Sequence, residues 1–185
     1  MNTHLVEPGA VPPLAAVEHE PENVVVLDGG ETIETFETFY RANYATVAAA
    51  LSYTLADVDL AREATDEAMA RVYARWSKIS HYDNPAGWVY RVGLNWARSV
   101  RRRIGRALPH HGQDAHEPPT SDPAIAQALQ KLDVKLRAVV VCRLLLDWSV
   151  EETAQSLDIK PGTVKSRLHR ALELLERSLS HLRTS

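Results

Sequence analysis

The sequence predicts an all-α protein of two small helical domains joined by a flexible linker. Three observations predict it. Ala, Leu, Arg and Glu dominate, while the strong β-formers rarely alternate with polar residues. Apolar residues recur at helical spacing in two separate blocks. Between the blocks, residues 105–122 (GRALPHHGQDAHEPPTSD) are rich in Pro, Gly and polar groups, the composition of a linker. At 185 residues, 45% hydrophobic and 24% charged, the chain has the make-up of a soluble protein holding one domain or two small ones.

Residues 1–31 hold four prolines and an acidic bias, which predicts a disordered tail. Within it, the short run VVVL at 24–27 is a segment able to pair or dock. The helical period begins at Ile33 and continues through Phe36, Tyr40, Tyr44, Val47 and Leu51. A second helix is predicted from about Asp57 to Trp76, opened by acids that suit its N-terminal dipole. Leu60, Ala64, Ala68, Val72 and Trp76 form its apolar face. The following SKISHYDNP reads as a loop, because Asp-Asn-Pro breaks helices. Pro85, favourable in a first turn, opens a third helix that runs through Trp88, Val92, Asn95 and Trp96 to an arginine cluster. Helices resume near Pro123 and run, with a break near Asp133, to Leu146. The predicted division is a tail at 1–31, a first domain at 32–104, a linker at 105–122 and a second domain at 123–185.

Residues 149–171, SVEETAQSLDIKPGTVKSRLHRA, read as a helix-turn-helix. Ser149 and Glu152 have capping-box spacing. Val150, Thr153, Ala154 and Leu157 supply the inner face, and Ile159 plugs the space between the helices. Asp158 stands at the turn position that most often needs a left-handed residue. The second helix begins at Pro161, and the N–H groups of Gly162 and Thr163 are placed to hold a phosphate. Val164, Leu168 and Ala171 face inward. Lys165, Ser166, His169 and Arg170 then face a DNA groove, with Arg167 nearer a phosphate. Taken singly, these basic residues are an ordinary solvated face. The coincidence of cap, turn, core spacing and outward charge favours DNA.

Net charge is −3, which by itself disfavours nucleic acid. The distribution reverses this. Residues 1–37 carry eight acids and no Lys or Arg, and the rest of the chain has 21 basic against 16 acidic side chains. The acidic tail is therefore placed to shield the basic faces, although a tail without consequence is the simpler reading. The single cysteine, Cys142, lies in the apolar run AVVVCRLLL and reads as a buried inert thiol. No apolar stretch approaches the roughly 20 residues of a membrane span, and the N-terminus lacks the basic start of a signal peptide. A cytoplasmic location without membrane insertion is expected. His110, His111 and His116 fit no common zinc spacing, so no metal and no cofactor are expected. The absence of a Gly-rich phosphate loop, nucleophile elbow or paired metal motif argues against an enzyme.

WSVEETAQSLDI followed by GTVKSRLHRA closely resembles region 4 of bacterial RNA polymerase sigma factors of the extracytoplasmic-function (ECF) type. Independently, REATDEAMARVYARW resembles region 2.2, and NPAGWVYRVGLNWARSVRRR resembles regions 2.3 and 2.4. Together the motifs span about residues 33–180. The resemblance implies a factor that binds core polymerase through the clamp of its largest subunit and the flap of its second subunit. It also implies recognition of promoter DNA, melting of the duplex, and control by an anti-sigma factor.

Particular residues take roles by that resemblance. Glu63, Asp66 and Glu67 match the acidic motif that meets the clamp, although Asp66 replaces the usual glutamine; without the resemblance they read as a solvated acidic face. Ser80, His81 and Tyr82, in the loop Lys78–Asn84, match the receptor for a flipped minus-10 base. Asn95 matches the asparagine that reads this element, with Tyr90 and Arg91 one turn before it. Arg98, Arg101, Arg102 and Arg103 are expected on phosphates. Trp76, Trp88 and Trp96 are expected as core anchors rather than base stackers. Lys165, Ser166, His169 and Arg170 match the minus-35 groove face, and Arg143 matches a further DNA contact. Lys160 replaces the serine common at the cap of the second helix. A stand-alone regulator shares the helix-turn-helix but has no need of residues 57–103.

Overall fold

The computed structural model describes residues 24–26, 32–107 and 123–183. The elements in chain order are β1 (Val24–Val26), β2 (Thr32–Glu34), α1 (Phe36–Leu55), α2 (Val58–Tyr73), α3 (Trp76–Ile79), α4 (Pro85–Ala107), α5 (Pro123–Gln130), α6 (Val134–Val140), α7 (Val150–Leu157) and α8 (Pro161–Arg183). The fold is all-α apart from one antiparallel strand pair, with Val25 opposite Ile33. Ile33 therefore belongs to a strand, and α1 starts only after Thr35. The Thr35 hydroxyl accepts the Thr38 N–H and sets the helix start.

Helices α1, α2 and α4 pack as a three-helix unit. Asp57 caps α2 by accepting the Leu60 N–H at 2.9 Å. Its inner face carries Ala61, Ala64 and Ala68, small residues that let the helices approach. At the closest point Gly93 of α4 faces Leu51 and the Ala64 carbonyl. Leu51, Val47, Met69, Val72, Val89 and Leu94 fill the rest, each burial contributing on the order of 1.5–3 kcal/mol. The predicted loop after α2 is partly helical. Trp76 opens the short α3 instead of ending α2, and the true loop runs from Ser80 to Asn84. At the other end, α4 continues through Gly105 to Ala107, past the expected boundary at 104. Linker residues 108–122, with their three histidines, and most of the tail lie outside the described residues.

The second block folds as predicted around the helix-turn-helix. Asp133 caps α6, and the buried Arg137 donates to the Leu132 carbonyl at 2.9 Å, tying down the α5–α6 turn. Burial, with Arg101 nearby, lowers the Arg137 pKa. After α6 the backbone widens into a π-helical turn, Val141–Leu145, with the Leu146 N–H bonded to the Val141 carbonyl. Leu129, Leu132, Val140 and Ala171 form one inner cluster, and Val139, Ala154 and Val164 another, into which Ile159 packs.

These two blocks share a core. Ala138, Val141 and Cys142 are buried with the residues of α1, α2 and α4, and Leu146, Trp148 and Leu157 pack against the same cluster. The stretch from α6 into the π turn thus has two working faces: Val139 and Val140 turn to their own domain, while Ala138, Val141 and Cys142 turn to the other.

Candidate nucleic-acid interface

The helix-turn-helix is built by three local devices. The Ser149 hydroxyl accepts the Glu152 N–H at 3.0 Å, and a Glu152 carboxylate oxygen accepts the Ser149 N–H at 2.7 Å. This is a complete capping box. Asp158 adopts φ 55°, the left-handed conformation the turn needs. Pro161 then opens α8. Thr153 and Ala154 are buried with Val164 and Ala171, so the helices cross on small and branched side chains.

Hydrogen bonds from Ser149 hold the Glu152 carboxyl below its usual pKa. A depressed folded pKa stabilises the fold above the unfolded value of about 4.3 and loses that contribution as pH falls through the folded value. Ser149→Ala should therefore cost about 1 kcal/mol near neutrality and flatten the loss of stability below pH about 4. Thermal melts of both proteins between neutral and acid pH test this. Parallel pH curves would refute the assignment.

On α8, Lys165, Ser166, His169 and Arg170 are all exposed on one side. His169 lies 3.4 Å from Glu173, one turn on. Arg167 is half-buried against α6, beside Lys135. Gly162 has open space about it, but the Thr163 N–H is already bonded to the Lys160 carbonyl at 2.8 Å. Thr163 therefore offers no free N–H to a phosphate. Arg143 is also occupied: its guanidinium donates to the Trp148 carbonyl and ties the end of the π turn to the start of α7.

The residues expected at the minus-10 element divide into groups. His81, Tyr82 and Arg91 line one cleft of about 300 Å³, with Asp83, Asn84, Gly87 and Trp88. Ser80 stands beside it, its hydroxyl 3.1 Å from His81 Nδ1. Sequence reasoning missed Asn84, whose side-chain oxygen accepts the Gly87 N–H at 2.6 Å and whose amide nitrogen is buried without a partner. The signal was present in Asn-Pro, an N-cap residue before a first-turn proline. Two further residues, Gln155 and Ser156, line the cleft from α7 of the other domain.

Asn95, Arg102 and Arg103 gather on the outer face of α4 with Arg71 and Ser99. Arg98 points to the other side, into a cavity shared with Lys135 and Arg167. Two expectations are corrected. Tyr90 is fully buried, its hydroxyl 2.6 Å from Thr54 Oγ1 and its ring edge-on to Trp148; it has no surface to offer DNA. Arg101 donates to the Leu55 carbonyl at 2.7 Å and lies 3.5 Å from Asp57. It joins the end of α1 to the cap of α2. The tryptophans at 76, 88 and 96 pack against the core as expected.

Along α2, Glu63 and Asp66 are exposed, and Glu67 pairs with Arg71 at 2.7 Å. The Tyr44 hydroxyl donates to Asp66 at 2.7 Å. Burial and this carboxylate push the Tyr44 pKa up to about 12, so the phenol stays a donor. Tyr40, expected inside, is 38% exposed, and Tyr73 is 68% exposed. Both contact Phe36, making an aromatic surface near the acids.

Comparison with known proteins decides the family. Residues 123–175 match the family model "Sigma-70, region 4". The RNA polymerase sigma-E factor of Streptomyces coelicolor is 33% identical over 157 residues, covering 81% of this chain and 88% of that protein. This chain belongs to the ECF-type RNA polymerase sigma factors. Such factors bind core RNA polymerase and direct promoter-specific initiation, a non-enzymatic task. The ECF RNA polymerase sigma factor SigL of Mycobacterium tuberculosis is 32% identical over 138 residues, covering 68% of this sigma factor and 78% of that one. In fold this chain resembles the sigma factor RpoE of Bartonella quintana, solved in complex with the anti-sigma factor NepR. That likeness has a TM-score of 0.67 at 19% identity, over 78% of this chain and 96% of that one. Among the described residues no helix is long and apolar enough to cross a membrane, and no group of three or more His, Cys, Asp or Glu could hold a metal.

Proposed function

We propose that this sigma factor is a dissociable cytoplasmic subunit, without catalytic groups, that holds a promoter at two points. Residues 32–107 act as region 2 and residues 123–183 as region 4. Glu63, Asp66 and Glu67 offer carboxylates to a basic helix of the polymerase clamp, with Tyr44 orienting Asp66. His81, Tyr82 and Arg91, supported by Ser80, receive an extruded minus-10 base. Asn95 reads the same element, and Arg98, Arg102 and Arg103 neutralise phosphates. Lys165, Ser166, His169 and Arg170 read the minus-35 major groove, with Arg167 on the backbone. Arg143 contributes by shaping the turn before α7.

The observation that carries the reading is the recognition face of α8. Four polar or basic side chains stand exposed on one side of a helix capped, turned and packed as a helix-turn-helix. An anti-sigma factor is the proposed regulator, the class of partner seen with the RpoE structure. Purified chain should direct core polymerase to a defined set of promoters in a selection from genomic fragments, and to start transcription there. Tight site binding without core, and no transcription with it, would identify a stand-alone regulator instead.

A further inference from the structure

Three cations from three helices meet around one cavity of about 200 Å³. Arg98 comes from α4, Lys135 from the first turn of α6 and Arg167 from α8. The rest of the lining is Ala138, Leu157 and Ile159, whose side chains offer no hydrogen-bond acceptor. Among the described residues none of the three cations takes part in an ion pair. The neighbouring acids are engaged or line other clefts. Asp133 shares an adjoining cavity with Lys135 and Arg167, and its Oδ1 accepts the Lys135 N–H as the cap of α6. Asp158 lines a separate cleft with Glu151 and Lys160.

Like charges gathered in this way repel, and more strongly where apolar walls lower the local dielectric. The positive field is wider than the lining. Arg137, next to Ala138 in the chain, has its pKa lowered by burial and then by Arg101. Solvation explains an exposed arginine on one helix. It does not explain a convergence from three helices in which Arg167 is half-buried. Arg98 also stands apart from Asn95, Arg102 and Arg103, which gather elsewhere on α4.

An anion reverses the sign of these interactions. Two guanidinium forks and an ammonium supply donors for phosphate oxygens. Volume then chooses among anions. One water takes roughly 30 Å³ of the liquid, so this cavity has room for a diphosphate, whose several negative charges match the three cations.

We propose that Arg98, Lys135 and Arg167 form a binding site for a diphosphate group, free or carried by a nucleotide. Leu157 and Ile159 supply an apolar wall beside it. The site goes beyond the promoter reading, because its ligand is a small anion that the chain takes without polymerase or DNA.

Isothermal titration calorimetry of the full chain, at about 0.15 M salt to screen loose surface attraction, tests this with sodium pyrophosphate and with ADP, magnesium omitted. Wild type should bind at a single site. Lys135→Ala and Arg98→Gln should each weaken binding at least about tenfold, the loss of one charge-assisted contact. Lys135→Arg should keep it. Lys131→Ala removes the same charge from an exposed position outside the cavity and should bind as wild type does. Circular dichroism checks the helix content of each variant. Tighter binding of ADP than of pyrophosphate assigns the site to a nucleotide, and equal binding assigns it to the diphosphate alone. The proposal is overturned if neither anion binds wild type, or if Lys135→Ala or Arg98→Gln, still helical, binds as wild type does. It is equally overturned if Lys131→Ala loses as much as Lys135→Ala, which would leave only diffuse attraction by a basic surface. Polymerase and DNA are absent from these titrations, so none of their outcomes bears on the promoter reading.

Discussion

Replacing Lys165 and Arg170 together by alanine should weaken core-dependent binding to a cognate promoter by at least about thirtyfold, since each good base-edge contact in a major groove contributes about 1–3 kcal/mol. Both side chains are exposed on the outward side of α8, away from buried Val164 and Ala171, so truncation leaves the fold intact. The loss should shrink on a promoter whose minus-35 element is already scrambled, because the contacts removed are those that read bases. Arg167→Ala should behave differently. Its half-buried stem lies beside Lys135, and its proposed contact is a phosphate. It should lower affinity about equally on all promoters and reduce the salt slope by about one. Footprinting or fluorescence anisotropy with core polymerase distinguishes the two patterns. Retention of wild-type affinity by the double variant, with helix content unchanged, would remove α8 from the minus-35 contact.

The second large effect concerns stability. Gly93→Ala should lower the melting temperature markedly, while Gly105→Ala on the same helix should not. A Cβ at Gly93 would lie 2.8 Å from Leu51 Cδ1 and 3.0 Å from the Ala64 carbonyl oxygen. The leucine end is able to rotate. The carbonyl belongs to the backbone of α2, and moving it separates two packed helices. Overpacking of this kind costs about 1–3 kcal/mol, or roughly 2–12 °C for a chain of this length. Nothing lies within 4 Å of a Cβ at Gly105. There the exchange removes backbone freedom from the unfolded chain and is neutral or stabilising by up to about 1 kcal/mol. Equal melting temperatures for the two variants would refute the close crossing of α4 with α1 and α2.

Local chemistry explains what was legible in the sequence. Ser149 and Glu152 satisfy each other's backbone within one turn, so their spacing alone announced the cap. Asp158 sits in the left-handed conformation inferred for it, because the turn between two short helices leaves few alternatives. The outward face of α8 followed from a period of 3.6 and the positions of Val164, Leu168 and Ala171. Pro85 likewise marked the start of α4.

Other residues carry the same local signals yet do different work. Tyr90, Arg91 and Asn95 share a helix and motif, but only tertiary contacts bury Tyr90 against Thr54 and Trp148 while leaving Asn95 exposed. Arg101, Arg102 and Arg103 are consecutive. The helical period turns Arg101 to the Leu55 carbonyl and its two neighbours to solvent. Arg143 spends its guanidinium on a carbonyl five residues away because the π turn brings Trp148 within reach. Thr163 lost its expected free N–H to a tight first turn.

By itself, then, the sequence determined the helices, the capped helix-turn-helix, the outward basic face of α8 and the resemblance that led to the family, because each depends on residues within a turn or two of one another. The tertiary structure alone decided which arginines are free, that Tyr90 is core, and that α7 lies across the cleft lined by His81, Tyr82 and Arg91. Those outcomes depend on contacts such as Gly87 with Ser156 and Tyr90 with Trp148, residues roughly 60 to 70 apart in the chain whose encounter no local pattern encodes.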